Sequence, residues 1–249
     1  NLMKFKASIV FISLILSGCG GGGEDWASQD PSASAVSPNT FNIQAGWTKL
    51  LSAPYTRNLN ISGSCTGSYA WTQSTSTISS GTTNPVPAKN YTFITRVYRN
   101  CSLATMNGSL SYTITNSYDF INQNLFNTRY DYANLPNIWR TRAIFPTAAK
   151  VGDTGLIGII DNYKNSTGTS KNSVEEWSYV IEQDTASSVV FHLISKVYNT
   201  NSSINDTDYL SASVIQTEDY RYVVGPQNVM ALRTYDFENA SARLHGTPP

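Results

Sequence analysis

From residue 154 onward, apolar and polar residues alternate with a period of two, in runs separated by a few polar or glycine-containing positions. That pattern constrains the fold more than any other feature of the chain. The runs are Thr154 to Tyr163, Ser173 to Gln183, Ser187 to Asn199, Asp208 to Thr217, Tyr220 to Val224 and Val229 to Phe237. Successive side chains of a strand point to opposite faces, so alternation of this kind reads as strands with one buried and one wet face. Short connections between such runs imply antiparallel neighbours and hence a meander. Trp177, Tyr179 and Ile181 share one parity, and Val189, Phe191, Leu193 and Val197 another, so these are the expected core faces.

The first half carries the same signal more thinly. Tyr91, Phe93, Thr95 and Val97 share a parity within Asn90 to Tyr98, as do Leu110, Tyr112 and Ile114 within Ser109 to Thr115. Asn107-Gly108, just before the second run, marks a hairpin, because both positions tolerate positive φ. Around 118–146 neither a period of 2 nor one of 3.6 holds, and an irregular segment of that length often carries function. No internal repeat points to a propeller or solenoid. Charged residues are only 14% of the chain and there are fifteen Tyr, a usage that favours strands and turns. The expected fold class is all-β: an antiparallel meander forming a sandwich or half-open barrel, with one irregular segment around 118–146.

The N-terminus carries an address. From Met3, which reads as the start after a two-residue artefact, Lys4 and Lys6 form a short basic region, and Ala7 to Leu16 is an apolar stretch too short to span a bilayer. Leu16-Ser17-Gly18-Cys19 follows, and it resembles the lipobox of bacterial lipoproteins: an aliphatic residue, two small residues and a cysteine. The resemblance covers residues 3–19. It implies cleavage before Cys19, lipidation of Cys19 and a membrane as partner, held by acyl chains that each add ~0.8 kcal/mol per buried methylene. By the same resemblance, Gly20 after the cysteine implies the outer membrane. Four glycines and a polar Ser, Asp, Pro and Ala stretch then read as a flexible tether. The expected organisation is a signal peptide at 1–18, a lipid-bearing tether at 19–45, a single β-rich domain at 46–240 and a C-terminal tail at 241–249. Lys150-Val151-Gly152-Asp153-Thr154-Gly155 also resembles the strand opening of uncharacterised β-rich proteobacterial lipoproteins, which implies fold class and no activity.

Loss of Lys4 and Lys6 from a formally neutral chain leaves a mature net charge of −2. With no basic run to meet a polyanion, nucleic acid is not an expected partner. Cys65 and Cys101 are the two cysteines left in the exported part. In an oxidising compartment they are expected to pair, stabilising the fold by ~3–4 kcal/mol through loop closure.

Residues suited to chemistry are few. His192 is the one credible general base, and its strand context makes it a part-buried structural residue; a non-enzymatic protein would leave it without carboxylate and hydroxyl partners arranged around it. His245 lies in the expected tail. Gly63-Ser64-Cys65-Thr66-Gly67 has the outline of a nucleophile elbow but no helix after it. Glu175, Glu176, Glu182 and Asp184 cluster on one run, where Glu176, Glu182 and Asp184 share a parity opposite Trp177 and Tyr179. A pair of carboxylates there would suit glycoside hydrolysis, and a solvated face is the plainer reading. Asn201, Asn205, Asp206 and Asp208 have oxygen ligands but lack the glycine and glutamate of a calcium loop. Neither a metal nor a cofactor is expected. Phe126, Tyr130, Tyr132 and Trp139, in the irregular segment, could stack on a sugar or grip an acyl chain, and packing in the core or anchoring of the loop is the plainer reading. The functional expectation is a lipid-anchored envelope protein with a non-enzymatic binding role; the alternatives are an envelope polysaccharide hydrolase or a carrier of an apolar ligand.

Overall fold

The computed structural model describes residues 39–74, 88–118, 137–140, 143–165, 167–199 and 209–249. Its strands are β1 (Tyr55–Gly63), β2 (Thr66–Gln73), β3 (Ala88–Arg99), β4 (Gly108–Tyr118), β5 (Asn137–Trp139), β6 (Thr154–Tyr163), β7 (Lys171–Thr185), β8 (Ser188–Asn199), β9 (Val214–Val224), β10 (Met230–Asn239) and β11 (Arg243–Thr247). They form one antiparallel sheet in the order β4-β3-β2-β1-β11-β10-β9-β8-β7-β6-β5. Two meanders, β1 to β4 and β5 to β11, are joined by one non-local pairing, β1 with β11. The edges are β4 and β5, so the sheet is not closed into a barrel. The fold is all-β, as the alternation requires.

One face of the sheet is concave. The ring of Tyr69 on β2 stacks on that of Tyr235 on β10 with centroids 5.3 Å apart. β1 and β11 lie between them, and three strand spacings on a flat sheet would separate the two backbones by ~14 Å. The curl brings their inward faces together. Into that concavity fits the helix α1 (Ile43–Ser52), whose Ile43, Gly46, Trp47, Leu50 and Leu51 recur at helical spacing and are buried. Trp47 stacks on Phe145 at 5.0 Å and meets Tyr222 edge-on at 5.3 Å, so the helix and the inward faces of β8 and β9 share one core. Asn42 caps the helix start by accepting from the Ala45 N–H at 2.8 Å. At the other end Gln73 of β2 donates to the carbonyls of Leu50, Leu51 and Ala53.

The structure corrects several boundaries. The folded part begins before residue 46: Phe41 pairs with Ala149, and Ile43 is fully buried, so 41–45 belong to the domain and not to a tether. The segment 241–249 is no tail, since Arg243–Thr247 is β11, hydrogen-bonded on both sides. β9 is one strand over Val214–Val224 where the sequence suggested two runs, and Tyr209–Ser211 is a short 3-10 turn. Asn107-Gly108 opens β4 instead of forming a two-residue turn; β3 and β4 are linked by eight residues, 100–107, that include a 3-10 turn at Ala104–Met106. Within the supposedly irregular segment Asn137–Trp139 is β5, and Ala143 and Phe145 are core residues.

Cys65 and Cys101 are bonded, with Cα atoms 4.0 Å apart. The bridge ties the β1–β2 turn to the end of β3. Ser64 in that turn exchanges hydrogen bonds with Arg243 at the start of β11. Gly63-Ser64-Cys65-Thr66-Gly67 is therefore a disulfide-pinned turn with no free thiol.

Candidate functional site

The register across β7, β8 and β9 places Trp177, Ser195 and Glu218 side by side on the concave face. The next row outward holds Trp139, Ile160, Glu175, Val197 and Gln216. Polar side chains facing inward need partners, and here they find one another. Ser195, which is buried, donates to Glu175 Oε1 at 2.8 Å. Gln216 donates to Glu218 Oε1 at 2.8 Å, Tyr235 donates to Glu218 Oε2 at 3.3 Å, and the Tyr220 hydroxyl donates to the same oxygen. Ser195 thus stands between two carboxyl groups, bonded to one and directly opposite the other.

Aromatic rings run alongside. Trp177 stacks on Tyr220 at 6.1 Å, Tyr220 meets Tyr235 at 5.0 Å, and Tyr235 stacks on Tyr69, over which the Arg96 guanidinium sits at 5.2 Å. Burial pushes the Glu175 carboxyl up to about 7, against the opposing effect of the Ser195 hydrogen bond and with the help of the Glu218 charge. Burial, reinforced by Glu218, also raises the Tyr220 and Tyr235 phenols well above their usual range, so both remain hydroxyl donors. The arrangement offers a carboxyl that holds a proton near neutral pH, a second carboxyl with three converging donors, and a flanking row of rings.

The acidic residues with the opposite parity lie on the outward face, away from the rings. Tyr209 donates to Glu176 Oε2 at 2.8 Å, over a small apolar cluster of Val174, Tyr198 and Tyr209. Asp184 bonds Ser188 at 2.6 Å and pairs with Arg233 at 2.8 Å. His192 departs from expectation. It lies in its strand as expected but is buried, and two carboxylates flank it: Nδ1 contacts Glu182 Oε1 and Nε2 contacts Asp219 Oδ1, each at 2.7 Å. The cause is register, since β7 and β9 both bring acids to the side of β8 that carries His192. Arg221 links Glu182 to Asp236, which also contacts His245 on β11. With both ring nitrogens engaged and no hydroxyl among their partners, His192 offers no lone pair to a nucleophile.

Of the four rings singled out in the irregular segment, Trp139 sits on the concave face packed against the core, paired with Glu175's neighbour Ile160. Phe126, Tyr130 and Tyr132 lie outside the described residues, as do Cys19 and the loop with Asn201, Asn205, Asp206 and Asp208. Among the described residues no group of three or more His, Cys, Asp or Glu side chains is placed to hold a metal, and no helix is long and apolar enough to cross a membrane. Glu175 is a candidate from the sequence alone, whereas Glu218, Ser195 and Tyr220 emerge as site residues only from the register. Their signal was parity: Glu175 shares the face of Trp177 and Tyr179, and Glu218 that of Tyr220 and Tyr222. No protein-family model matches the chain, and neither the curated proteins nor the solved structures provide a match.

Proposed function

We propose that this chain is a lipid-anchored protein of the bacterial cell envelope whose β domain binds a hydroxyl-rich ligand, a glycan, on the concave rows around Glu175 and Glu218. The observation that carries the reading is the pair of half-buried, stacked rings of Trp177 and Tyr220 beside two half-buried carboxyl groups and a buried serine, with Tyr235 and Tyr69 buried behind them. Ring faces suit the apolar faces of sugars, and carboxylate and hydroxyl groups suit their hydroxyls. The anchor rests on the run ending at Cys19, with the outer membrane as its location. Trp47, Phe145, Phe191 and Tyr222 pack ring against ring in the core under α1, which weighs against the apolar carrier.

Titration of the purified protein with soluble envelope oligosaccharides, followed by tryptophan fluorescence, tests the site. Binding that weakens about tenfold or more in Trp177→Ala and Glu218→Gln is expected; binding indifferent to both substitutions rejects the site. One observation favours a second reading, a glycan hydrolase. A carboxyl protonated near neutral pH beside another carboxyl is what a general acid and its partner require. Release of reducing ends that disappears in Glu175→Gln would replace binding by catalysis. The anchor has its own test: Cys19→Ser should abolish acyl labelling and membrane retention, and unchanged fractionation would exclude it.

A further inference from the structure

On the opposite half of the concave face, β1 and β2 present buried hydrogen-bond donors that find no acceptor among the described residues. Arg57 and Trp71 are direct cross-strand partners, so their side chains stand together on one face. Tyr55 and Trp71 pack against the core, edge-on to each other at 6.3 Å, and that contact fixes the face as the inward one. Arg57 Nε and Trp71 Nε1 are both buried, and neither has a hydrogen-bond partner among the described residues. Arg57 also makes no ion pair among them. The Tyr55 hydroxyl accepts from the Leu232 N–H at 2.8 Å, which leaves its own proton to donate.

Two neighbouring orphans of this kind are uncommon, because a buried donor without an acceptor forfeits its hydration for nothing. Two residues along β2 from Trp71, Gln73 does find acceptors, the carbonyls at the end of α1, which makes the two unpartnered donors beside it stand out. Arginine and the indole N–H are donors only. A group that satisfies them must be acceptor-rich, and beside a guanidinium with no ion pair among the described residues it should carry negative charge.

We propose that Arg57, Trp71 and Tyr55 form a second binding site, which takes the oxyanion group of a ligand, a carboxylate or a phosphate. The guanidinium supplies charge and direction, and the indole and phenol supply two further donors. The site is separate from the acidic rows on β7 and β9 and does not depend on a glycan binding there.

The test follows the indole N–H resonance of Trp71, identified by its loss in Trp71→Phe, in the full mature chain held in detergent micelles. Phenylphosphate and benzoate are the two oxyanion probes, and benzyl alcohol is the uncharged control. The expected result is a saturable shift with at least one oxyanion and none with the alcohol, with affinity at least ~10-fold weaker in Arg57→Gln and partly restored in Arg57→Lys. Circular dichroism of each variant confirms that the sheet is retained. No saturable shift with either oxyanion overturns the proposal. An equal response to benzyl alcohol, or an affinity unchanged in folded Arg57→Gln, does the same.

Discussion

At His192 two acceptor groups meet one ring, and only the doubly protonated imidazole can donate to both. Burial pulls its pKa down, but the hydrogen bonds to Asp219 and Glu182 outweigh burial and leave it raised. The hydrogen bond from His192 in turn lowers the Glu182 carboxyl. A histidine raised in this way adds stability that is fully present below its ordinary pKa of about 6.5 and is lost as pH climbs through the folded value. His192→Gln should therefore flatten the decline of stability above about pH 6.5 and cost about 1–3 kcal/mol near neutrality. Urea unfolding across that range checks both, and a decline that persists unchanged in the variant would dissociate the histidine from it. Glu175 slopes the same way for another reason. Its carboxyl, raised to about 7 by burial, keeps a proton in the folded state that the unfolded chain has already released, so stability falls between the ordinary carboxylate range and about pH 7. Glu175→Gln mimics the protonated form. Above about pH 7 it should be more stable than the parent by roughly 2–3 kcal/mol, and near pH 4 no different.

Among the elements, the long apolar runs of β6, β7 and β8 are legible even where Glu175 and Ser195 point inward, whereas shorter or charge-interrupted strands are not. Thr154 to Tyr163 has the bounds of β6, and its run of Leu and Ile between glycine and polar residues marks it although apolar side chains stand at both parities. β9 was split at Glu218-Asp219: two adjacent acids look like a turn, yet one points inward to Tyr220 and Tyr235 and the other outward to His192. β11 was missed for its brevity, and β1 because Arg57 occupies an inward position. The helix α1 has little of its own to announce it. Its ten residues include Gly, Thr and Ser, too short and too weak to stand alone, and it exists because the concavity buries Trp47 and Leu51. Trp47→Ala should accordingly cost about 3–5 kcal/mol, read from thermal or urea unfolding. Gly67 makes the equivalent case for a strand. A Cβ there would lie 1.8 Å from the Val97 carbonyl oxygen, at a φ of +154°, so Gly67→Ala must push β2 from β3 beside the disulfide and should cost more than about 2 kcal/mol.

For the whole molecule, the decisive link is the pairing of the last strand with the first. β11 lies between β1 and β10, and without it no described strand pairing connects β1–β4 with β5–β10. The disulfide cannot substitute, since Cys65 and Cys101 both lie on the β1–β4 side. Leu244 of β11 is buried in the shared core, and Gly246 lets Leu59 and Ile61 of β1 approach the strand closely. Two perturbations should therefore differ in kind. Replacing both Cys65 and Cys101 by Ser should lower stability by ~3–4 kcal/mol yet leave one cooperative transition, because it frees the unfolded chain without removing a sheet contact. Truncation after Asn239 should abolish the single transition, giving a protein that unfolds in separate, broad steps or fails to fold. Unfolding followed in parallel by far-ultraviolet circular dichroism and tryptophan fluorescence distinguishes them: coincident curves are expected for the disulfide variant and non-coincident ones for the truncation. Coincident curves for the truncated chain would mean that α1, packed against β10 and the inward faces of β8 and β9, holds the two meanders together unaided.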